Sequence, residues 1–139
     1  MKHLRSVLFV FTALLLATAV HAQSTYVTAS VPFDFVVADQ TYPAGDYAVK
    51  SISNTGVPIL IRNSDKAEGL ALSVACSSVK PSTTTKLVFH RMGGQYFHYQ
   101  VWQEGNTIGR EFRLSKTEKQ LARNSSQPEI VIVAANLTR

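Results

Sequence analysis

Two imidazoles, His90 and His98, have the broadest chemical reach in this chain, because a neutral imidazole can relay a proton or ligate a metal. They stand in two apolar-rich runs, Thr85–Arg91 and Gln95–Gln103, separated by Met92-Gly93-Gly94. The odd-numbered Leu87, Phe89, Phe97, Tyr99 and Val101 form an apolar set. A two-residue Gly93-Gly94 turn would set Phe89 against His98 and spoil that face. A three-residue Met92-Gly93-Gly94 loop instead pairs Phe89 with Phe97 and Leu87 with Tyr99. That register puts His90 opposite Tyr96, with His98 its diagonal neighbour about 7–8 Å away on the more polar face. A stable metal site wants a third protein ligand, and the adjacent Val88, Met92, Tyr96 and Gln100 offer neither carboxylate nor thiol. The expectation is therefore no metal and no other cofactor. A metal-binding or enzymatic protein using His90 and His98 stands as an alternative.

The remaining chemistry is sparse. Cys76 is the single cysteine, which excludes an intramolecular disulfide and a Cys-based zinc site. It shares one strand face with Leu70, Leu72 and Val74 by period two, so it is expected to be a small, buried, unreactive hydrophobe. Asp34, Asp39 and Asp46 are spread around a hairpin and suit turn and solvent roles. No nucleophile elbow, zinc helix, phosphate-cradling glycine loop or EF-hand loop occurs in the sequence. Nothing here assembles a catalytic residue set, and the chain reads as a non-enzyme.

Charge is more informative in its placement than in its formal net value of +5. From Gln23 to Val79 the acidic residues Asp34, Asp39, Asp46, Asp65 and Glu68 outnumber Lys50, Arg62 and Lys66. From Lys80 to Arg123 the balance reverses, with Lys80, Lys86, Arg91, Arg110, Arg113, Lys116, Lys119 and Arg123 against Glu104, Glu111 and Glu118. Ser115-Lys116-Thr117-Glu118 is a capping box that opens a short helix through Arg123. On that helix Lys116, Lys119 and Arg123 fall at i, i+3 and i+7, while Leu114 and Leu121 lie on another side. The helix can dock through Leu121 and present a basic stripe. That stripe reads either as a solvated helix face kept soluble by its lysines or as a surface for an anionic envelope partner: a lipid headgroup, an acidic polysaccharide or an acidic protein face. No recognised nucleic-acid motif is present.

These residues are carried by strands. Phe33–Ala38, Tyr47–Ile52, Pro58–Arg62, Leu70–Cys76, Thr85–Arg91, Tyr96–Gln103 and Glu129–Ala134 are rich in β-branched and aromatic residues. Turn formers separate them: Pro43-Ala44-Gly45, Asn54-Thr55-Gly56, Asn63-Ser64-Asp65, Gly93-Gly94 and Glu104-Gly105-Asn106. At 139 residues, with 45% hydrophobic and 17% charged residues, the pattern predicts one all-β domain. A single antiparallel sandwich or a small barrel, with one short helix near the C-terminus, is the expected architecture. A small barrel would enclose a cavity and carry an apolar ligand, the first functional alternative.

Met1-Lys2-His3-Leu4-Arg5, the apolar run Val7–Val20 and the small residues at Val20 and Ala22 read as a signal peptide cut before Gln23. The run is shorter than the roughly 20 residues needed to span a bilayer. The domain would then be 23–139, exported to the periplasm or beyond. No transmembrane segment is expected in that mature chain.

Two resemblances follow from strings of residues. After the Pro43-Ala44-Gly45 turn, Tyr47 either folds its ring inward and returns its hydroxyl to the backbone or stays a surface residue of an ordinary hairpin. The string Pro43-Ala44-Gly45-Asp46-Tyr47-Ala48-Val49 resembles the turns of transthyretin-like and carboxypeptidase-regulatory-like sandwich modules, which implies a β-sandwich fold and no function. The series Val31-Pro32-Phe33-Asp34-Phe35, Pro43–Tyr47, Lys86–Arg91, Gln95-Tyr96-Phe97 and Gly109-Arg110-Glu111 resembles a group of small exported acidobacterial proteins. That second resemblance implies an envelope or extracellular location and brings no activity, ligand or site residue with it.

Overall fold

Alternation of apolar and polar side chains decides which way each strand faces, and among the described residues eleven strands use it to enclose one aromatic core. The computed structural model describes residues 25–53, 55, 57–63, 68–124 and 127–138. The signal-peptide reading of 1–22 lies outside the described residues. So do Asn54 and Gly56 of one expected turn, and Ser64 and Asp65 of the next. The elements are β1 (Tyr26–Val31), β2 (Phe35–Val37), β3 (Gln40–Tyr42), β4 (Gly45–Ser51), β5 (Pro58–Asn63) and β6 (Glu68–Ser77). They continue through β7 (Lys86–Met92), β8 (Gln95–Trp102), β9 (Ile108–Phe112), helix α1 (Lys116–Asn124), β10 (Glu129–Ala134) and β11 (Asn136–Thr138).

The hydrogen-bonded order is β10-β7-β8-β9-β6-β5-β4-β1-β11, with the β2–β3 hairpin attached in parallel to β8. Two strand runs belong to both sheets. β6 pairs with β5 through Glu68–Leu72 and with β9 through Ser73–Ser77. The β10–β11 run pairs with β7 and then, past Ala135, with β1. The path does not close through hydrogen bonds, yet its two ends are consecutive in the chain. The Ala135 amide donates to the Thr85 carbonyl at 3.0 Å as the chain passes from one sheet to the other. The fold is thus all-β and sandwich-like, with one short helix near the C-terminus.

Between the sheets, Phe35 is the hub. Its ring centroid lies 5.4 Å from Tyr42, 4.9 Å from Tyr47 and 5.4 Å from Phe89. Val27, Val31, Val49, Ile59, Ile61 and Leu87 complete the core from alternate positions of their strands. The Tyr47 hydroxyl donates to the Pro43 carbonyl at 2.5 Å, so of the two placements open to the tyrosine after the turn the chain takes the inward one. The Asp34 carboxylate accepts from the Ala44 amide at 2.8 Å and braces the same turn.

The β7–β8 hairpin corrects the expected register. Met92 pairs with Gln95, so the loop is the two-residue Gly93-Gly94 turn. Both glycines have positive φ (56° and 75°), the backbone that matches the strands' twist. His90 therefore faces Phe97, and Phe89 faces His98. A β-bulge then resets the pairing: Val88 opposes Gln100 and Tyr99 is the extra residue. The apolar set splits as a result. Leu87, Phe89 and Val101 stay inside and His98 joins them, while Phe97 and Tyr99 turn outward. Apolar residues are tolerated outside at this end because α1 covers part of that face.

The β2–β3 turn carries strain of its own. Ala38 and Asp39 have φ of 48° and 69°, a left-handed conformation that costs a side chain with Cβ about 1–2 kcal/mol per residue. Asp39 tolerates it better and uses its carboxylate elsewhere, as described below. Ala38→Gly is expected to stabilise the domain by about 0.5–1 kcal/mol, since relief of the clash exceeds glycine's extra chain entropy. A rise in the urea midpoint with unchanged slope checks this; a fall counts against the turn geometry.

Candidate functional site

Helix α1 has nine residues, too few to persist alone in water, so its position rests on tertiary bonds. The Ser115 hydroxyl accepts from the Glu118 amide at 3.0 Å, as the capping box requires. The second half of the box is not formed. Instead of returning to the Ser115 amide, the Glu118 carboxylate accepts from His90 Nδ1 at 2.8 Å. A carboxylate only accepts, which places the proton on Nδ1. Both partners are buried, and the His90 ring stacks on Tyr99 at 3.9 Å. The free amide of Lys116 donates to Asp39 Oδ1 at 2.6 Å, tying the helix start to the strained β2–β3 turn. Leu121 packs over Gly93, where an added Cβ would lie 3.2 Å from Leu121 Cδ2.

The opposite side of the helix is exposed. Lys116, Lys119 and Arg123 are all exposed, and none of them forms an ion pair with a described residue. The expected stripe is therefore present, on a helix that Glu118, Leu121 and Asp39 hold against the sheet. Sequence reasoning found the stripe and Leu121 but missed the His90–Glu118 pair. The only signal for it was an acidic residue on the docking side of an otherwise basic helix.

The other candidates fall elsewhere. His90 and His98 lie on opposite faces of the sheet, so they cannot share a metal ion; the two-residue turn is the reason. Among the described residues no three His, Cys, Asp or Glu side chains cluster as metal ligands. His98 is stacked on Phe89 and tilted against Phe112, both at 4.7 Å, and neither ring nitrogen has a hydrogen-bond partner of good geometry among the described residues. Burial lowers its pKa to about 3, and the Gln100 backbone opposes that shift without reversing it.

Cys76 also needs correction. It does share a face with Leu70, Leu72 and Val74, but that face is the outer one. Leu70, Leu72 and Val74 are 63%, 56% and 56% exposed, and Cys76 is half-buried. The inner positions of β6 hold only Gly69, Ala71 and Ser73, because aromatic rings have taken the interior. An added Cβ on Gly69 would overlap the Tyr42 hydroxyl. Burial, then Glu111, raises the Cys76 thiol pKa.

The interior leaves little room for a guest. A cleft of about 250 Å³ reaches Val27, Val49, Ile59 and Val101 from one end of the sandwich. That is below the roughly 300–1,000 Å³ of ordinary ligand sites. A broader cleft of about 530 Å³ lies on the outer face of β1, β4 and β5, where Asp46 and Arg62 bring opposite charges to its rim. Compared with family models, curated proteins and solved structures, the chain matches none of them.

Proposed function

We propose that this is an exported, non-enzymatic binding domain of the bacterial envelope that docks on an anionic component through Lys116, Lys119 and Arg123. The observation that carries the reading is the presentation, on one face of a helix docked on its other side, of three exposed cations with no ion-pair partner among the described residues. A helix pinned on its other side loses little conformational freedom on binding, so its cations act as a preformed patch. Enzyme chemistry has less support, because the His90–Glu118 pair is buried beneath α1 and not open to a cleft. The barrel-carrier alternative has less support, because it needs an enclosed cavity and the cleft that reaches the core holds about 250 Å³.

The test has two parts. Intact mass of envelope material should begin at Gln23; a chain retaining Met1 in the cytoplasm overturns export. The mature domain should bind anionic vesicles or an acidic polysaccharide with affinity that falls steeply between low and physiological salt. The Lys116→Glu/Lys119→Glu/Arg123→Glu variant should lose at least tenfold in affinity at unchanged stability. Equal binding by variant and parent overturns the assignment of the stripe.

A further inference from the structure

The outer face of the second sheet carries a groove of about 410 Å³, at the end of β7 and β8 away from the Gly93-Gly94 turn. Val88, Trp102, Ile130 and Ile132 form its apolar lining, and Lys80 and Lys86 stand on it as well. This volume falls in the range of ordinary small-ligand sites. The strand register explains the assembly: Ile132 opposes Val88, Val88 opposes Gln100, and Lys86 opposes Trp102. Alternate residues of three strands therefore meet on one face.

The groove is built before any ligand arrives. The Trp102 indole lies flat over Gly109, where an added Cβ would be 2.8 Å from the ring. Its Nε1–H donates to Gln100 Oε1 at 2.9 Å, and Gln100 Nε2–H donates to Glu111 Oε2 at 2.9 Å. The ring is thus locked in place by a two-bond relay. The wall is equally fixed. Ser82 exchanges backbone bonds with the β8–β9 turn, donating to Asn106 at 2.9 Å and accepting from Gly105 at 2.8 Å. Ile130 and Ile132 remain 53% and 58% exposed, although isoleucines at the floor of a groove would be expected to seek cover. Neither lysine has an ion-pair partner among the described residues, and no carboxylate lines the groove.

We propose that this groove binds one molecule of a free, single-chain anionic amphiphile, distinct from whatever meets the helix stripe. Its apolar chain lies along Trp102, Val88 and the two isoleucines, and its carboxylate pairs with Lys80 and Lys86. Charge complementarity selects the head group, because the groove offers two ammonium groups and no acid. The mostly apolar floor selects an acyl body over a hydrated sugar.

Trp102 is the single tryptophan of the chain, so its fluorescence reports on the site itself. Dodecanoate, kept below its micellar concentration, should shift that emission saturably, with one-to-one stoichiometry by calorimetry. Dodecanol and dodecyl maltoside should bind at least tenfold more weakly. Ile132→Glu places a carboxylate at an exposed position of the floor, and Lys80→Glu/Lys86→Glu reverses the head-group charge. Each should cost at least tenfold while leaving the unfolding midpoint unchanged. The proposal is overturned by comparable binding of the neutral amphiphiles, or by affinity that ignores both variants. Response to phosphatidylglycerol vesicles but not to monomeric dodecanoate, or preference for an oligouronate, overturns it in favour of those ligands. Lys116→Glu/Lys119→Glu/Arg123→Glu should leave dodecanoate binding intact, which separates failure here from failure at the helix.

Discussion

Replacing His98 with phenylalanine should make the domain more stable at neutral pH and remove much of its sensitivity to acid. In the parent protein the imidazole is 3% exposed and both nitrogens lack a hydrogen-bond partner among the described residues. An unsatisfied buried polar group costs about 1–3 kcal/mol, and the slightly larger phenyl ring returns part of that through tighter packing. A net gain of about 1–2 kcal/mol at pH 7 is expected. The pH effect is larger. The folded-state pKa of about 3 lies below the unfolded value of 6.5, so the unfolded chain binds the proton more readily. Stability from this group is complete above about pH 6.5 and is lost progressively as pH falls towards 3. Between pH 7 and 4 the loss is of order 3 kcal/mol. Urea midpoints of both proteins at pH 7, 5 and 4 check this. Parallel pH profiles, or a less stable variant at pH 7, would contradict the placement of His98.

Glu118→Ala should destabilise the domain by about 2–4 kcal/mol, since it leaves His90 buried without its acceptor and frees the helix from the sheet. Glu118→Gln keeps an acceptor oxygen and should lose less than half as much. A double-mutant cycle with His90→Phe separates the pair from the helix propensity of the new residue. Coupling of at least about 1 kcal/mol is expected for groups at 2.8 Å. Coupling near zero would mean that Leu121 and Asp39 alone hold the helix. If they do not, Glu118→Ala should also weaken binding at Lys116, Lys119 and Arg123 at constant salt, through looser presentation of the three cations.

What was legible in the sequence was local. Turn residues marked the strand ends, Pro43 and Gly45 marked the turn before Tyr47, and Ser115 marked the helix start. Local patterning also placed Leu70, Leu72, Val74 and Cys76 on one face. It could not say which face, because the answer depends on Tyr42 and Phe35 from other strands having filled the interior. The hairpin register failed for a related reason. Treating the odd-numbered set as one apolar face assumed a single buried side, whereas α1 buries part of the other and a bulge at Tyr99 allows the change of parity. Glu118 looked like half of a capping box until a strand 28 positions away supplied a histidine. The stripe Lys116, Lys119 and Arg123 was legible because it needs only helical periodicity.

The run from β10 into β11 also bears on when this protein can fold. Thr28 and Asn136 are opposed in the β1–β11 pair although 108 positions separate them, and contacts of that range form late because the intervening chain must first be ordered. Until this last run arrives, β1 and β7 each lack one neighbour, one in each sheet. A chain that has not yet placed β10 and β11 has only β6 shared between the two sheets. Completion of the fold is thereby coupled to the arrival of β10 and β11, which close an edge of each sheet in one step.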